Sequence, residues 1–351
     1  MFFDIREMKK KAGELLDKIE KSQDCRALQD SPYDINIDIA EEKLDKKLNG
    51  GTVSYPRSFI GFIAPDNWLS KKINYASVKA YQPETNVIGD FNLSTGRAEE
   101  GRFSRAMDIN GTSAECYEMD TCEYIEWLDL IVMGNNVGNY EALRGVLCSN
   151  LTSKIYMDDL RVGFNGKYPA AFTDPKANPC GEDIAPGWQE VARKASEGKQ
   201  ILSTPFALGA GGDFSGVDEL AQTIIKEKIP AAYQNDPRLV VMVGSELAAA
   251  ERLRLFNTAS GASDKEAASA WGSTIAGRFA FIPPFMPGKR LVITMLPNLL
   301  INVIDGSYRT DFDLDDKTKR LNMRAWRHQG YGLADVGLYA GVDESAVTLK
   351  S

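Results

Sequence analysis

The sequence predicts an α+β fold, and three observations carry that prediction. Between Gly212 and Thr310, helical runs (Val217 to Ile229, Ser245 to Phe256) alternate with short apolar runs (Leu239 to Gly244, Leu291 to Leu296, Leu299 to Ile304). Asn136 to Val162 keeps one helical step throughout, which at ~1.5 Å per residue is a rod of roughly 40 Å. Tyr81 to Asp120 has no helical period, and Ser307 to Val342 alternates polar and apolar residues as strands do.

Taken in order, residues 1–22 read as an amphipathic helix, with Ile5, Met8, Ala12, Leu15, Leu16 and Ile19 on one stripe and lysines and acids on the others. Residues 23–56 are polar, with an Asn49-Gly50-Gly51 turn and a short helical run near Ile39 to Leu48, and read as an extended arm. Trp68 to Val78 is more apolar and returns to the globular body. Tyr81 to Asp120 carries Gly89, Gly96, Gly101 and Gly111 and a charged stretch from Arg97 to Arg105. Structureless loops of that length are uncommon inside a compact domain, so a two-stranded excursion is expected. Cys122 to Val132 alternates enough to predict a strand. The long helix follows over 136–162, with Tyr140, Leu143, Val146, Leu147, Leu151, Ile155 and Leu160 on its apolar face and Gly163 as its C-terminal stop. Lys167 to Gly187, rich in Pro, Gly, Asn and Asp, is a surface loop; Trp188 to Ala195 is a helix. The run Gly209-Ala210-Gly211-Gly212 opens the next module.

Of 351 residues, 43% are hydrophobic and 26% charged, with a formal charge of −8. That balance argues against a surface that grips nucleic acid through basic stripes. The first fifty residues hold ten basic and twelve acidic groups, so the arm is not a nucleic-acid tail. Five cysteines, with no C-x-x-C pair, predict free thiols in a reducing compartment. The N-terminus lacks a basic-then-apolar signal pattern. The strongest membrane candidate, Leu291 to Ile304, is interrupted by Pro297 and Asn298 and falls short of the ~20 apolar residues a span needs; a soluble chain is expected.

The catalytic patterns fail in turn. His328 is the only histidine; without partners it builds neither a metal site nor a triad, and is expected on the surface. Asp311, Asp313, Asp315 and Asp316 suggest a calcium loop, but the sixth position from Asp311 is Asp316 and the twelfth is Asn322, where glycine and glutamate are required. The glycine run at 209–212 leads into Asp213-Phe214, not the Lys-Ser or Lys-Thr of a P-loop. No cofactor, metal or catalytic residue is predicted.

The order of these elements resembles the major capsid protein of tailed bacteriophages, in the branch of phage P2. The resemblance lies in Asp236 to Gly244 with the helix before it, in Val292 to Arg309, and more faintly in Gly163-Phe164-Asn165-Gly166, Pro186-Gly187-Trp188 and Trp68-Leu69…Ile73-Asn74. It spans roughly residues 65–342 and rests on a collinear series of short matches.

The resemblance implies the Hong Kong 97-type capsid fold. Its parts would be an N-terminal helix and arm (1–75), an extended β-hairpin (76–122), a peripheral domain (123–205 and 306–342) with its spine helix at 136–162, an axial domain (206–305) and a C-terminal tail (343–351). The implied function is a structural virion protein that assembles into pentamers and hexamers of an icosahedral head around double-stranded DNA, read without sequence specificity. Scaffolding, portal and decoration proteins are further candidate partners, with assembly in the host bacterial cytoplasm. Subunit contacts are expected from the hairpin tip (Arg97, Glu99, Glu100, Arg102, Phe103, Arg105) and from the arm (Phe2, Ile5, Leu15). Some capsids of this fold weld their lattice through a hairpin lysine; no lysine stands between Lys79 and Lys154 here, and arginine, held protonated, supplies no amine nucleophile. A non-covalent shell is therefore expected. The alternative readings are an encapsulin-like compartment shell of the same fold and, from another class, a metal-dependent hydrolase using the aspartates after Thr310.

Overall fold

The computed structural model describes residues 68–81, 83–88, 95, 97, 109–137, 140–258 and 274–350. The expected N-terminal helix and the arm residues Phe2, Ile5 and Leu15 lie outside them. The element order is β1 (Asn74–Val78), β2 (Glu84–Ile88), β3 (Ile109–Ser113), β4 (Tyr117–Glu126), α1 (Trp127–Val137), α2 (Tyr140–Asn165), α3 (Trp188–Ala195), β5 (Ile201–Leu202), β6 (Phe206–Leu208), α4 (Val217–Lys228) and β7 (Leu239–Val243). There follow α5 (Ser245–Thr258), β8 (Thr274–Ile275), β9 (Arg278–Phe281), β10 (Leu291–Met295), β11 (Leu299–Ile304), β12 (Arg309–Asp315), β13 (Arg320–Leu333), β14 (Tyr339–Val342) and β15 (Val347–Leu349). These divide between two compact units whose boundaries fall inside β4, α2 and β13 and between β11 and β12.

The first unit takes its described residues from 120–156 and 308–327. Its core sets Leu130 of α1 and Leu147, Leu151 and Ile155 of α2 against Phe312, Leu321, Met323 and Ala325 of the antiparallel β12–β13 hairpin. The hairpin turn is shaped by Asp315, whose carboxylate accepts from the backbone N–H of Lys317 (2.8 Å) and the Thr318 hydroxyl (2.7 Å). Lys319 then adopts a positive φ of 56°.

Two expectations need correction here. The strand predicted over 122–132 stops at Glu126, and Trp127–Val137 is helical. Short apolar runs fit either period; the helix wins because Trp127 and Leu130, three apart, are both buried, and Asp129 sits favourably in its first turn. The long helix also starts at Tyr140 rather than Asn136, Val146 is exposed, and it runs through Gly163 to Asn165.

The second unit takes its described residues from 66–119, 157–307 and 328–351. Its larger sheet has the order β5-β14-β10-β7-β9-β8. Every residue of β7 and β10 is buried, which is why both read as unbroken apolar runs: each face of the sheet is covered. Leu239, Val241, Val243, Leu291 and Ile293 join Val217, Leu220, Ile224 and Leu247 of the helices in one core. Met242 and Val292 belong to a second core, with Leu69, Leu160, Trp188, Ile301 and Tyr331. Leu69 and Ile73 bring the chain into this body as expected, and β1 pairs in parallel with β11, Asn74 opposite Leu300.

The close approaches explain the glycines of the sequence. Trp188 is 1% exposed, donates its indole N–H to the Leu300 carbonyl (3.0 Å), and meets Phe164 and Tyr331 edge-on at 5.2 and 5.5 Å. A Cβ on Gly163 would stand inside that indole ring. Gly163 is thus a packing glycine within the helix, not its stop. The end of α2 is made by others. Gly166 N–H donates to Val162 O (2.7 Å), the Asn165 amide donates to the carbonyls of Arg161 and Phe285 (both 2.8 Å), and buried Arg290 donates to Phe164 O. Arg290 also holds the Glu344 carboxylate at 2.8 Å, a cation at a helix C-terminus where the dipole favours one.

Two sequence signals acquire structural roles. Asp236 accepts from the Arg238 backbone N–H (2.9 Å) and pairs with its guanidinium (2.6 Å), forming the turn into β7. The Arg238 side chain, then its backbone N–H, holds the Asp236 carboxyl down at about 2. The glycine run at 209–212 receives the C-terminal strand: β15 pairs in parallel with β6, and Gly209, at φ 129°, leaves room for the Lys350 carbonyl. Val347 and Ala346 are part of the core, so residues 343–350 are structural. Among the described residues, no helix is long and apolar enough to cross a membrane.

The Trp188 socket is testable. Trp188→Ala should cost ~3–5 kcal/mol, the range for emptying a buried aromatic site. Gly163→Ala, which intrinsic helix propensity favours by about 1 kcal/mol, should instead destabilise because its methyl meets the ring. Urea unfolding of both variants checks the two signs; a more stable Gly163→Ala protein would refute the socket.

Candidate assembly surface

The excursion between Tyr81 and Asp120 is two-stranded at its root. β2 and β3 pair antiparallel, Glu84 opposite Ser113 and Ile88 opposite Ile109. Between them only Thr95 and Arg97 are described, both exposed. Of the predicted contact residues, the structure therefore places Arg97, on the surface beyond the paired strands. Glu99, Glu100, Arg102, Phe103 and Arg105 lie outside the described residues.

The root of this hairpin is tied to its own unit by backbone and packing. Ala114 N–H donates to Pro83 O (3.1 Å) and Cys116 N–H to Tyr81 O (2.8 Å). Gly330 of β13 has no side chain because the Glu115 carbonyl lies where its Cβ would be. The Cys116 thiol is buried, donates to Asn302 O (3.8 Å), and is pushed by desolvation up to about 11. Tyr81 lies edge-on to His328, ring centroids 5.2 Å apart. The sole histidine is accordingly half-buried against the hairpin root, correcting the expectation of a surface residue. Its neighbours in the strand pattern explain the error: Arg327 and Gln329, polar in sequence, are buried. Gln329 donates to the Asp159 carboxylate (2.8 Å), and Arg327 to the Thr121 hydroxyl (3.2 Å).

Beyond the hairpin, β4 turns Glu118, Asp120, Cys122, Tyr124 and Glu126 to solvent. In the first unit the Arg320 guanidinium lies 3.9 Å from the centroid of the Tyr124 ring, and Lys154 pairs with Glu123 at 3.4 Å. The aspartates considered for a cation are spread along β12 and its turn. Asp313 faces Arg324 at 3.7 Å, and Asp315 is spent on its own turn. Among the described residues, no three His, Cys, Asp or Glu side chains are arranged to hold a metal.

Sequence reasoning missed one surface feature. The segment 167–187, read only as a loop, is tightly cross-braced. Lys167 and Tyr168 N–H donate to Glu182 O (2.8 and 3.2 Å), Ala170 N–H to Asp183 O (2.8 Å), and Asp174 N–H to the buried Asp183 carboxylate (2.7 Å). On this frame Tyr168 is 52% and Phe172 93% exposed. The aromatic residues at 168 and 172 within an otherwise loop-like composition were the available signal.

The family model for phage major capsid proteins of the P2 family matches residues 62–345. A capsid protein of Escherichia phage P2 is 30% identical over 267 residues, covering 71% of this chain and 74% of that one. Among solved structures, a chain of the satellite phage P4 procapsid with its size determination protein is similar at a TM-score of 0.64 and 22% identity, over 81% of this chain and 95% of that chain. A capsid chain of an empty GTA particle is similar at 0.52 and 14% identity, over 86% and 97%. These structural likenesses concern the fold.

Burial of the hairpin root has a chemical readout. Thiolate is the reactive form, so with the Cys116 thiol at about 11 against an ordinary 9.0, alkylation at pH 8 should run roughly a hundredfold slower there than at an ordinary thiol. Peptide mapping after a short iodoacetamide pulse should find exposed Cys122 labelled and Cys116 spared. Equal labelling would mean that the root opens in solution.

Proposed function

Because the chain belongs to the P2 family of phage major capsid proteins, structural proteins of the icosahedral head with the Hong Kong 97-type fold, we propose that it builds that head by self-assembly through its own protrusions. Copies join into pentamers and hexamers by a head-to-tail interface that closes into rings. The hairpin and the N-terminal arm then tie these rings into a shell around double-stranded DNA. Helix α2 serves as the spine of a peripheral domain (123–205 and 306–342). The module from 206 to 305 serves as the axial domain, and residues 76–122 as the extended hairpin. Scaffolding, portal and decoration proteins are its expected partners, in the host bacterial cytoplasm. The protein has no catalytic role, in keeping with its structural family.

The observation that carries this reading is the antiparallel β2–β3 pair, with Arg97, which lies between the two strands in sequence, exposed. An isolated two-stranded hairpin is marginal in water. Packing on a sister copy supplies the missing burial, with Arg97, Glu99, Glu100, Arg102, Phe103 and Arg105 making the contacts; Phe2, Ile5 and Leu15 do the same for the arm. The overall charge of −8 suits a container that holds DNA through weak, sequence-blind contact.

Reversing one charge at the tip tests the reading. Arg102→Glu should leave thermal unfolding of the subunit unchanged and sharply lower the yield of particles seen by electron microscopy; a full yield of normal particles would count against it. The absence of lysine between Lys79 and Lys154 gives a second test. Particles boiled in detergent should run as a single band near the monomer mass, and a ladder of linked chains would exclude a non-covalent shell.

A further inference from the structure

We infer that the braced loop 167–187 is an inter-subunit contact, with Phe172 inserted into the surface of a second copy of this chain. The inference rests on the proposed self-assembly and adds to it a contact outside the hairpin and arm.

The exposure of Phe172 is built in. A phenylalanine 93% exposed on a floppy segment means little, since a mobile loop visits many states. This one is held from both sides by named hydrogen bonds. Glu182 O takes the two N–H groups at 167 and 168, while Asp183, through its carbonyl and its buried carboxylate, takes those at 170 and 174. Asp174 in turn accepts from the N–H of Lys176 (2.9 Å) and Ala177 (3.3 Å) and so closes the far side of the tip. Pro169 and Pro175 restrict φ on either flank of Phe172. On that frame the ring stands outside its own core. Rigid presentation of an aromatic ring reduces the entropy lost on binding, which is the usual form of an interface anchor.

Tyr168, Pro169, Ala171, Phe172 and Pro175 are all exposed, interleaved with exposed Lys167, Thr173, Asp174 and Lys176, so the apolar groups sit within a polar rim. Large apolar groups presented within a polar rim mark interaction sites.

The small area of the tip selects its occupant. An aromatic ring buries on the order of 150–250 Å², so the tip offers at most a few hundred Å². A stable two-body complex needs roughly 1,200 Å² or more in total. Alone, the loop holds no partner. Repeated by symmetry in a shell, where each copy is also fixed by other contacts, a small rigid anchor contributes at every subunit. That requirement favours a sister copy over a separate soluble protein. A head-to-tail contact also needs no symmetry within the patch, since knob and socket lie on different faces of each chain.

Two variants test the inference on the full-length chain. In the first, a photo-crosslinking phenylalanine analogue replaces Phe172. Irradiated particles should yield a chain-to-chain adduct, and mixing isotopically light and heavy chains should give light–heavy crosslinked peptides. In the second, Phe172→Asp should keep the thermal midpoint of the unsubstituted chain while particle yield falls by about tenfold or more, the scale of one lost anchor. Adducts only to another protein, no adduct in assembled particles, or full assembly of Phe172→Asp would each overturn the inference. The outcomes separate from those of the parent reading. If the unsubstituted chain forms neither rings nor shells, self-assembly itself fails; if it forms them and position 172 stays uncrosslinked, only the loop contact fails.

Discussion

One indole governs the second unit. Trp188 fills the space between the end of α2 and the β11–β13 sheet, with Phe164 and Tyr331 edge-on to it and its N–H on the Leu300 carbonyl. A ring that large admits no side chain on the helix turn above it, so position 163 is glycine. The chain must also pass close to its own backbone on either side: Gly187 N–H donates to Gly166 O at 3.0 Å, and neither residue has room for a Cβ. Three glycines, one tryptophan and the exit of the long helix are consequences of a single packing event. The loop 167–187 begins and ends at that event, and this is why a segment of loop composition is so firmly placed.

Buried polar groups lock the same region in one arrangement. Asn298 donates to Thr294 Oγ1 (3.2 Å) and Asp335 O (2.9 Å) and accepts from Asp335 N–H (2.7 Å), which fixes the turn between β10 and β11 against the end of β13. Arg290 joins the last turn of α2 to Glu344 near the C-terminus. Such groups cost a great deal when left unpaired in the interior, so an alternative packing would have to re-satisfy each of them. A subunit meant to be repeated many times in one lattice benefits from that uniqueness, because every copy must offer the same surface.

Much of this was legible in the residues. Val217–Lys228, Ser245–Thr258 and Trp188–Ala195 stood out by period or composition, and β7 and β10 by their unbroken apolar runs. The strand character after Ser307 was equally plain. Where the reading failed, two local solutions were close in energy. Trp127 to Val132 satisfies both periods, and only the joint burial of Trp127 and Leu130 chose the helix. Gly163 has the composition of a helix stop; its real role depends on a residue twenty-five positions away. Arg327, His328 and Gln329 looked like a polar, solvent-facing stretch, and nothing local announced that Asp159, Thr121 and Tyr81 would meet them.

By itself, then, the chain of residues determined the α+β class, the placement of most helices and strands, and the likeness to shell-forming capsid proteins, because periodicity and turn chemistry act over a few neighbouring positions. Only the tertiary structure decided which polar residues go inside, why particular glycines are obligatory, and that Phe172 is held outward on a braced frame. Those outcomes depend on contacts between residues far apart in sequence, and burial, unlike period, is a property of the packed whole.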